Sequence, residues 1–167
     1  EAYVAFAADD ALRLAASRPN VVVTRTLSKS HSLAGIRFGL AVADPALARE
    51  LVKVKDSYNC DVLSLAAATA AIEDVEYLQS TRAKILATRG RMADALRRLG
   101  FEVTPSAANF LWCRRADRPV KPIYEALKAR MILVRYMDYA GHGDGLRITV
   151  GTDEEVGRLL AELEQIL

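Results

Sequence analysis

The chain has 167 residues, 51% hydrophobic and 26% charged, with a formal net charge of +2. That length can hold a real core, and that composition is of a soluble globular kind, which excludes fibrous and disordered classes. Interspersed charge signs exclude a nucleic-acid footprint, and two cysteines, Cys60 and Cys113, are too few for a disulfide framework.

The thiols are therefore expected free in a reducing, cytoplasmic setting. The densest basic stretch, residues 82–98, is broken by Ala, Leu, Ile and Asp94 and reads as the solvated face of a helix. His31 and His142 lie far apart, no metal-ligand spacing appears, and no metal is expected. The longest nearly apolar run, residues 62–72, is too short to span a bilayer, and no signal pattern opens the chain. Neither membrane nor nucleic acid is an expected partner.

Residues 1–6 read as the end of a strand and its turn, and residues 9–17 as a short helix. Val21-Val22-Val23 open a strand over residues 21–26. Its β-branched run lacks alternation, which predicts burial on both faces, as in a parallel sheet. A second parallel strand is expected over residues 36–43. Asp44-Pro45 then supplies a capping side chain and a first-turn proline for a helix to about residue 55.

The alanine-rich stretch 62–72 reads as a closely packed helix. A long helix follows over residues 75–99, with Leu78, Ile85, Met92 and Leu99 along one stripe and Gly100 as its left-handed cap. Shorter elements come next: strands over 101–104 and 109–114, a helix over 122–130, and strands over 132–135 and 146–150. Between the last two strands, Asp138, Tyr139, His142 and Asp144 sit in a glycine-rich stretch that reads as a turn rather than an acid–base pair. Thr152-Asp153-Glu154-Glu155 is a capping box opening a final helix with Val156, Leu159, Leu160, Leu163 and Ile166 on one face. The domain boundary falls inside the long helix: residues 1–75 form an incomplete sheet domain, and residues 76–167 a smaller α/β domain. No internal repeat is visible.

One segment carries chemistry. Thr26-Leu27-Ser28-Lys29-Ser30-His31-Ser32-Leu33-Ala34-Gly35-Ile36-Arg37-Phe38-Gly39 places an amine and an arginine among hydroxyls just after a strand. Open α/β sheets bind ligands at such strand ends. The hydroxyls of Thr26, Ser28, Ser30 and Ser32, with Arg37, can surround a phosphate. A partly desolvated lysine beside that anion can attack a carbonyl and hold it as an imine. A phosphate-bearing aldehyde held by an imine describes pyridoxal 5'-phosphate (PLP). In Leu146-Arg147-Ile148-Thr149-Val150 the alternation puts Arg147 on the strand face away from the core, where its forked donors suit a carboxylate.

The ordered string Thr26-Leu27-Ser28-Lys29 with Leu33-Ala34-Gly35-Ile36-Arg37-Phe38-Gly39 resembles the lysine segment of fold-type I PLP-dependent aminotransferases, most closely the histidinol-phosphate aminotransferase family. The resemblance spans nearly the whole chain and implies an α/β fold: the C-terminal part of the PLP-transferase large-domain sheet, then a small α/β C-terminal domain. It implies that Lys29 is the catalytic, Schiff-base lysine, that Ser28 and Arg37 bind the cofactor phosphate with Thr26, and that Tyr3 bonds the phenolic oxygen. It gives Arg147 the substrate carboxylate, Arg135 the substrate side chain with its phosphate, and Asn109 a place near the carboxylate. His31 stands where the family usually has Tyr or Phe, and Met131 where it usually has glycine.

In the family's acid-x-Ala-Tyr segment the acid that pairs with the pyridine nitrogen would fall just before Glu1, and Glu1 is a poor substitute. The chain is accordingly expected to be a C-terminal fragment, weak in PLP binding and inactive alone. The implied parent reaction joins a small-molecule amine, L-histidinol phosphate, to 2-oxoglutarate in a homodimer. An aromatic aminotransferase, a threonine-phosphate decarboxylase or a non-catalytic α/β module are the alternatives.

Overall fold

The computed structural model describes residues 1–167. The chain divides into two compact units, Glu1–Arg82 and Ala83–Leu167.

In the first unit a 3-10 turn, Val4–Phe6, stands where a strand end was expected, because nothing pairs with that segment. Helix α1, Leu12–Ser17, leads to strands β1, Val22–Thr26, and β2, Gly39–Ala43. These pair antiparallel, from Val22 opposite Ala43 to Thr26 opposite Gly39, which corrects the parallel expectation. A parallel pair needs a crossover long enough to return along the sheet, usually a helix. Residues 27–38 instead fold into two successive turns and lead straight back. Burial on both faces is corrected too: in β1 only Val23 is buried, and in β2 no residue is.

Helix α2, Pro45–Val54, starts as its sequence dictates, with the Asp44 carboxylate accepting from the Ala46 N–H at 2.8 Å. Helix α3, Val62–Glu73, is capped by Asp61 but is not closely packed. Only Ser64 and Ala68 are buried, while Val62 and Leu63 are 77% and 78% exposed. Helix α4, Val75–Arg98, passes from the first unit into the second.

The second unit is a four-stranded antiparallel sheet in the order β3-β4-β6-β5, comprising Glu102–Val103, Phe110–Arg114, Gly143–Thr149 and Arg135–Tyr139. Helices α5, Lys121–Ala129, and α6, Asp153–Ile166, complete it. Its core contains Met92, Leu96, Leu111, Leu127, Leu146 and Leu163, all essentially inaccessible. Each such side chain contributes about 1.5–3 kcal/mol on leaving water.

The β5–β6 hairpin differs from the sequence reading. The strand expected at residues 132–135 begins at Arg135 and continues to Tyr139, and its partner begins at Gly143. The turn shrinks to Ala140-Gly141-His142, closed by the His142 N–H on the Tyr139 carbonyl at 2.9 Å. Positive φ angles at Gly141 and Gly143, both +78°, let the chain reverse so tightly. Two helices end alike. After α4, the Gly100 and Phe101 N–H groups donate back to Arg97 and Leu96; after α5, those of Met131 and Ile132 donate back to Lys128 and Leu127. Each end needs a left-handed residue. Gly100 supplies it freely at φ +85°, whereas Met131 holds φ +60° with a side chain attached.

Candidate active site

The lysine segment is a turn built on β1. Thr26, at the strand end, receives the Ser28 N–H on its hydroxyl at 3.1 Å, and the two hydroxyls lie 2.9 Å apart. The buried Leu27 carbonyl then accepts from the N–H groups of both His31 and Leu33, at 3.3 and 3.4 Å. Lys29 projects from the top of this turn, exposed and without a hydrogen-bond or ion-pair partner. Arg37 is exposed as well and donates to the Ala34 carbonyl at 2.8 Å.

Backbone strain marks the same segment. Ser32 and Arg37 both hold φ +56°, a region costing a residue with a side chain about 1–2 kcal/mol. Such strain concentrates at functional sites. From Thr26 to Ala43 the chain has no carboxylate to compete for an anion site. Hydroxyls, an amine without a recorded partner and a guanidinium bonded only to a backbone carbonyl form a donor set that fits a phosphate-bearing aldehyde.

Tyr3 is half-buried just before the 3-10 turn, in the same unit. Glu1 is already engaged: its carboxylate accepts from the Arg25 Nε at 3.0 Å and from the Ala11 N–H. A terminal nitrogen of Arg25 also lies 3.0 Å from Asp10, off the hydrogen-bond line, so that contact is an ion pair only. Burial disfavours the charged Arg25, but these two carboxylates outweigh it and raise its pKa overall. His31 is held below the ordinary histidine value by burial alone.

In the second unit the structure brings two sequence candidates together. Arg135 is the direct cross-strand partner of Arg147. Asn109, just before β4, meets the neighbouring stretch of chain only through its backbone carbonyl, which accepts the Val150 N–H at 2.9 Å. Across β6 from Arg135 the row continues to Trp112. The opposite face carries the core leucines, so the two arginines stand on the outer face with Trp112 and Phe110. The Arg147 guanidinium lies 5.0 Å from the Phe110 ring centre, and its Nε is buried without a partner. A buried N–H left unmade costs about 1–3 kcal/mol, so this nitrogen is primed for an acceptor.

Sequence reasoning missed two supports of that hairpin. Trp112 lies across Gly145 so closely that any side chain there would collide with the indole, and its ring meets Tyr139 at 6.0 Å. The Asp144 carboxylate receives the N–H groups of Val120 and Lys121, at 2.8 and 3.2 Å, and so caps α5 from another strand. Strand alternation could have revealed the first, since Trp112 alternates with the core residues Leu111 and Cys113 and so faces outward. Nothing local signals the second, because helix and cap are far apart in sequence.

Solved aminotransferases share this α/β architecture. The histidinol-phosphate aminotransferase of Sinorhizobium meliloti, in complex with pyridoxal-5'-phosphate, matches at a TM-score of 0.88 and 30% identity over 99% of this chain and 47% of that one. The family model for aminotransferase class I and II matches residues 1–163, and the chain belongs to that family of enzymes. Histidinol-phosphate aminotransferases from Rhodopirellula baltica and Gluconacetobacter diazotrophicus are 52% and 49% identical to it over its full length, covering 46% and 48% of theirs. The chain thus spans about half the length of the curated relatives it matches. No helix is long and apolar enough to cross a membrane.

Proposed function

We propose that the protein carrying this chain is a PLP-dependent histidinol-phosphate aminotransferase, moving an amino group from L-histidinol phosphate to 2-oxoglutarate. The single observation that carries the reading is the pair of arginines facing each other on β5 and β6, two cations side by side without an acidic partner. Two dissimilar anions call for such a pair: the phosphate of one substrate and the α-carboxylate of the other. Curated relatives at about half identity bear that activity in their names.

Bound PLP supplies an electron-accepting ring conjugated to the substrate Cα. Lys29 would hold the cofactor by its amine, and that amine would carry a proton from and back to the substrate as base and then acid. Thr26, Ser28 and Arg37 bind the phosphate, and Tyr3 bonds the ring oxygen. Arg147 would grip the carboxylate in two bonds, with Asn109 near it. Arg135 takes the phosphate of the amine. The parent is expected to act as a homodimer.

The test uses the full-length protein with PLP. L-Histidinol phosphate and 2-oxoglutarate together should give glutamate, and each alone should not. Release of carbon dioxide from threonine phosphate without glutamate formation would replace this reading with the decarboxylase.

A further inference from the structure

His31 is the ionisable residue of the lysine turn that the proposed chemistry leaves unused. It stands two positions beyond Lys29 and closes the turn, its N–H on the Leu27 carbonyl at 3.3 Å. Its Nδ1 lies 2.8 Å from the Ser30 hydroxyl, on the residue next to Lys29. His31 also borders a cavity of about 320 Å³ lined by Ala67, Ala70, Ala71, Asp74, Tyr77 and Leu78, from α3, the start of α4 and the residue between them. Lys29 is therefore flanked by one turn tied twice, by the Leu27 carbonyl and by an imidazole bonded to Ser30.

We infer that His31 is a positioning residue for Lys29: its neutral imidazole, bonded to Ser30 and facing the α3 alanines across a cavity, holds the turn that presents the amine, and protonation of the ring loosens it. This rests on reading Lys29 as the residue that bonds PLP.

Most charged groups around the ring are already engaged elsewhere. On the α3–α4 side the titratable groups are Asp74 and Tyr77, and the Asp74 carboxylate already accepts the Tyr77 N–H at 3.1 Å. On the other side, a second cavity brings Glu1, Asp9, Asp10, Arg25 and Arg82 into the same wall. There Glu1 and Asp10 are committed to Arg25, and Arg82 donates to the carbonyls of Ala5 and Ala7. Burial is the one cause lowering the His31 pKa, with no charge contributing. A second N–H on the ring would face the cavity without a recorded acceptor or force the Ser30 hydroxyl to reverse.

The sign follows from proton linkage. The loosened turn takes up a proton at the ordinary histidine value, about 6.5, while the closed turn takes it only at lower pH. The hold on Lys29 is thus complete above about pH 6.5 and weakens as pH falls through it, by at most about tenfold per pH unit for one linked proton.

The experiment loads the full-length protein and its His31→Phe variant with PLP, removes free cofactor between pH 5.5 and 8.5, and fixes the remainder with borohydride. The readout is the fraction of Lys29 modified, measured by peptide mass, alongside the melting temperature at each pH. Wild type should lose several-fold of its adduct from pH 7.5 to 5.5, and the phenylalanine variant, which keeps a flat ring without a proton to gain, should lose markedly less. Should His31→Phe not fold, His31→Tyr serves the same comparison. Parallel pH curves for wild type and variant, differing only by a uniform offset in melting temperature, overturn this inference alone. Absence of any Lys29 adduct in wild type overturns it together with the proposed function.

Discussion

Arg135 and Arg147 face each other directly across β5 and β6, on the outer face of the sheet. Like charges so placed repel, and cross-strand pairs carry about 0.2–1 kcal/mol. Replacing Arg135 with Gln should therefore raise the melting temperature slightly at low salt and less at high salt. The same change should raise the KM for a phosphoamine in the full-length enzyme at least tenfold. Stability gained together with affinity lost is the signature expected of a binding pair. An arginine of purely structural value would lose both.

Met131 holds a left-handed backbone at a helix end where Gly100 does the same job elsewhere in the chain. Met131 is 79% exposed, so removing its side chain forfeits little packing. Met131→Gly should stabilise by about 0.5–1 kcal/mol, the left-handed penalty less the added flexibility of glycine in the unfolded chain. Urea unfolding should show a higher midpoint with an unchanged slope.

Asp144 carries the cap of a helix to which it does not belong. Asp144→Ala should cost about 1–2 kcal/mol by orphaning the Val120 and Lys121 N–H groups. Asp144→Asn should cost less, since its amide oxygen still accepts. Equal losses for the two variants in chemical denaturation would argue that charge matters here and not the bonds.

Cys113 is wholly inaccessible in the sheet core, and burial pushes its thiol up to about 12. The thiolate is the reactive form, so it stays unpopulated across ordinary buffers. A thiol reagent at pH 8 should modify only Cys60, which is partly exposed, until denaturant is added. Two rapidly reacting thiols in the native protein would contradict the packing described for β4.

Much of this structure was legible in the chain. Asp44-Pro45, Gly100 and the Thr152 capping box mark helix ends through local chemistry, and each stands where its sequence places it. The lysine segment was legible as a string, though its backbone strain at Ser32 and Arg37 was not. What failed was non-local. Strand direction at Val22–Thr26 depends on how residues 27–38 spend their length, and hydrophobic runs carry no arrow. The β5 start moved because pairing with the Gly143–Thr149 strand, rather than apolar content at Ile132 to Val134, decides where a ladder begins. Register also turned two separately read arginines into a facing pair.

Ser32, Arg37 and Met131 are the only residues with side chains that hold a left-handed backbone. A selection for heat resistance would treat all three as equivalent opportunities for glycine. Two of them belong to the loop that displays Lys29, where an easier backbone would also be a less determined one. Laboratory evolution of this protein toward durability would thus be drawn to its working loop, and Met131 is the position at which that pressure can be satisfied without disturbing the amine.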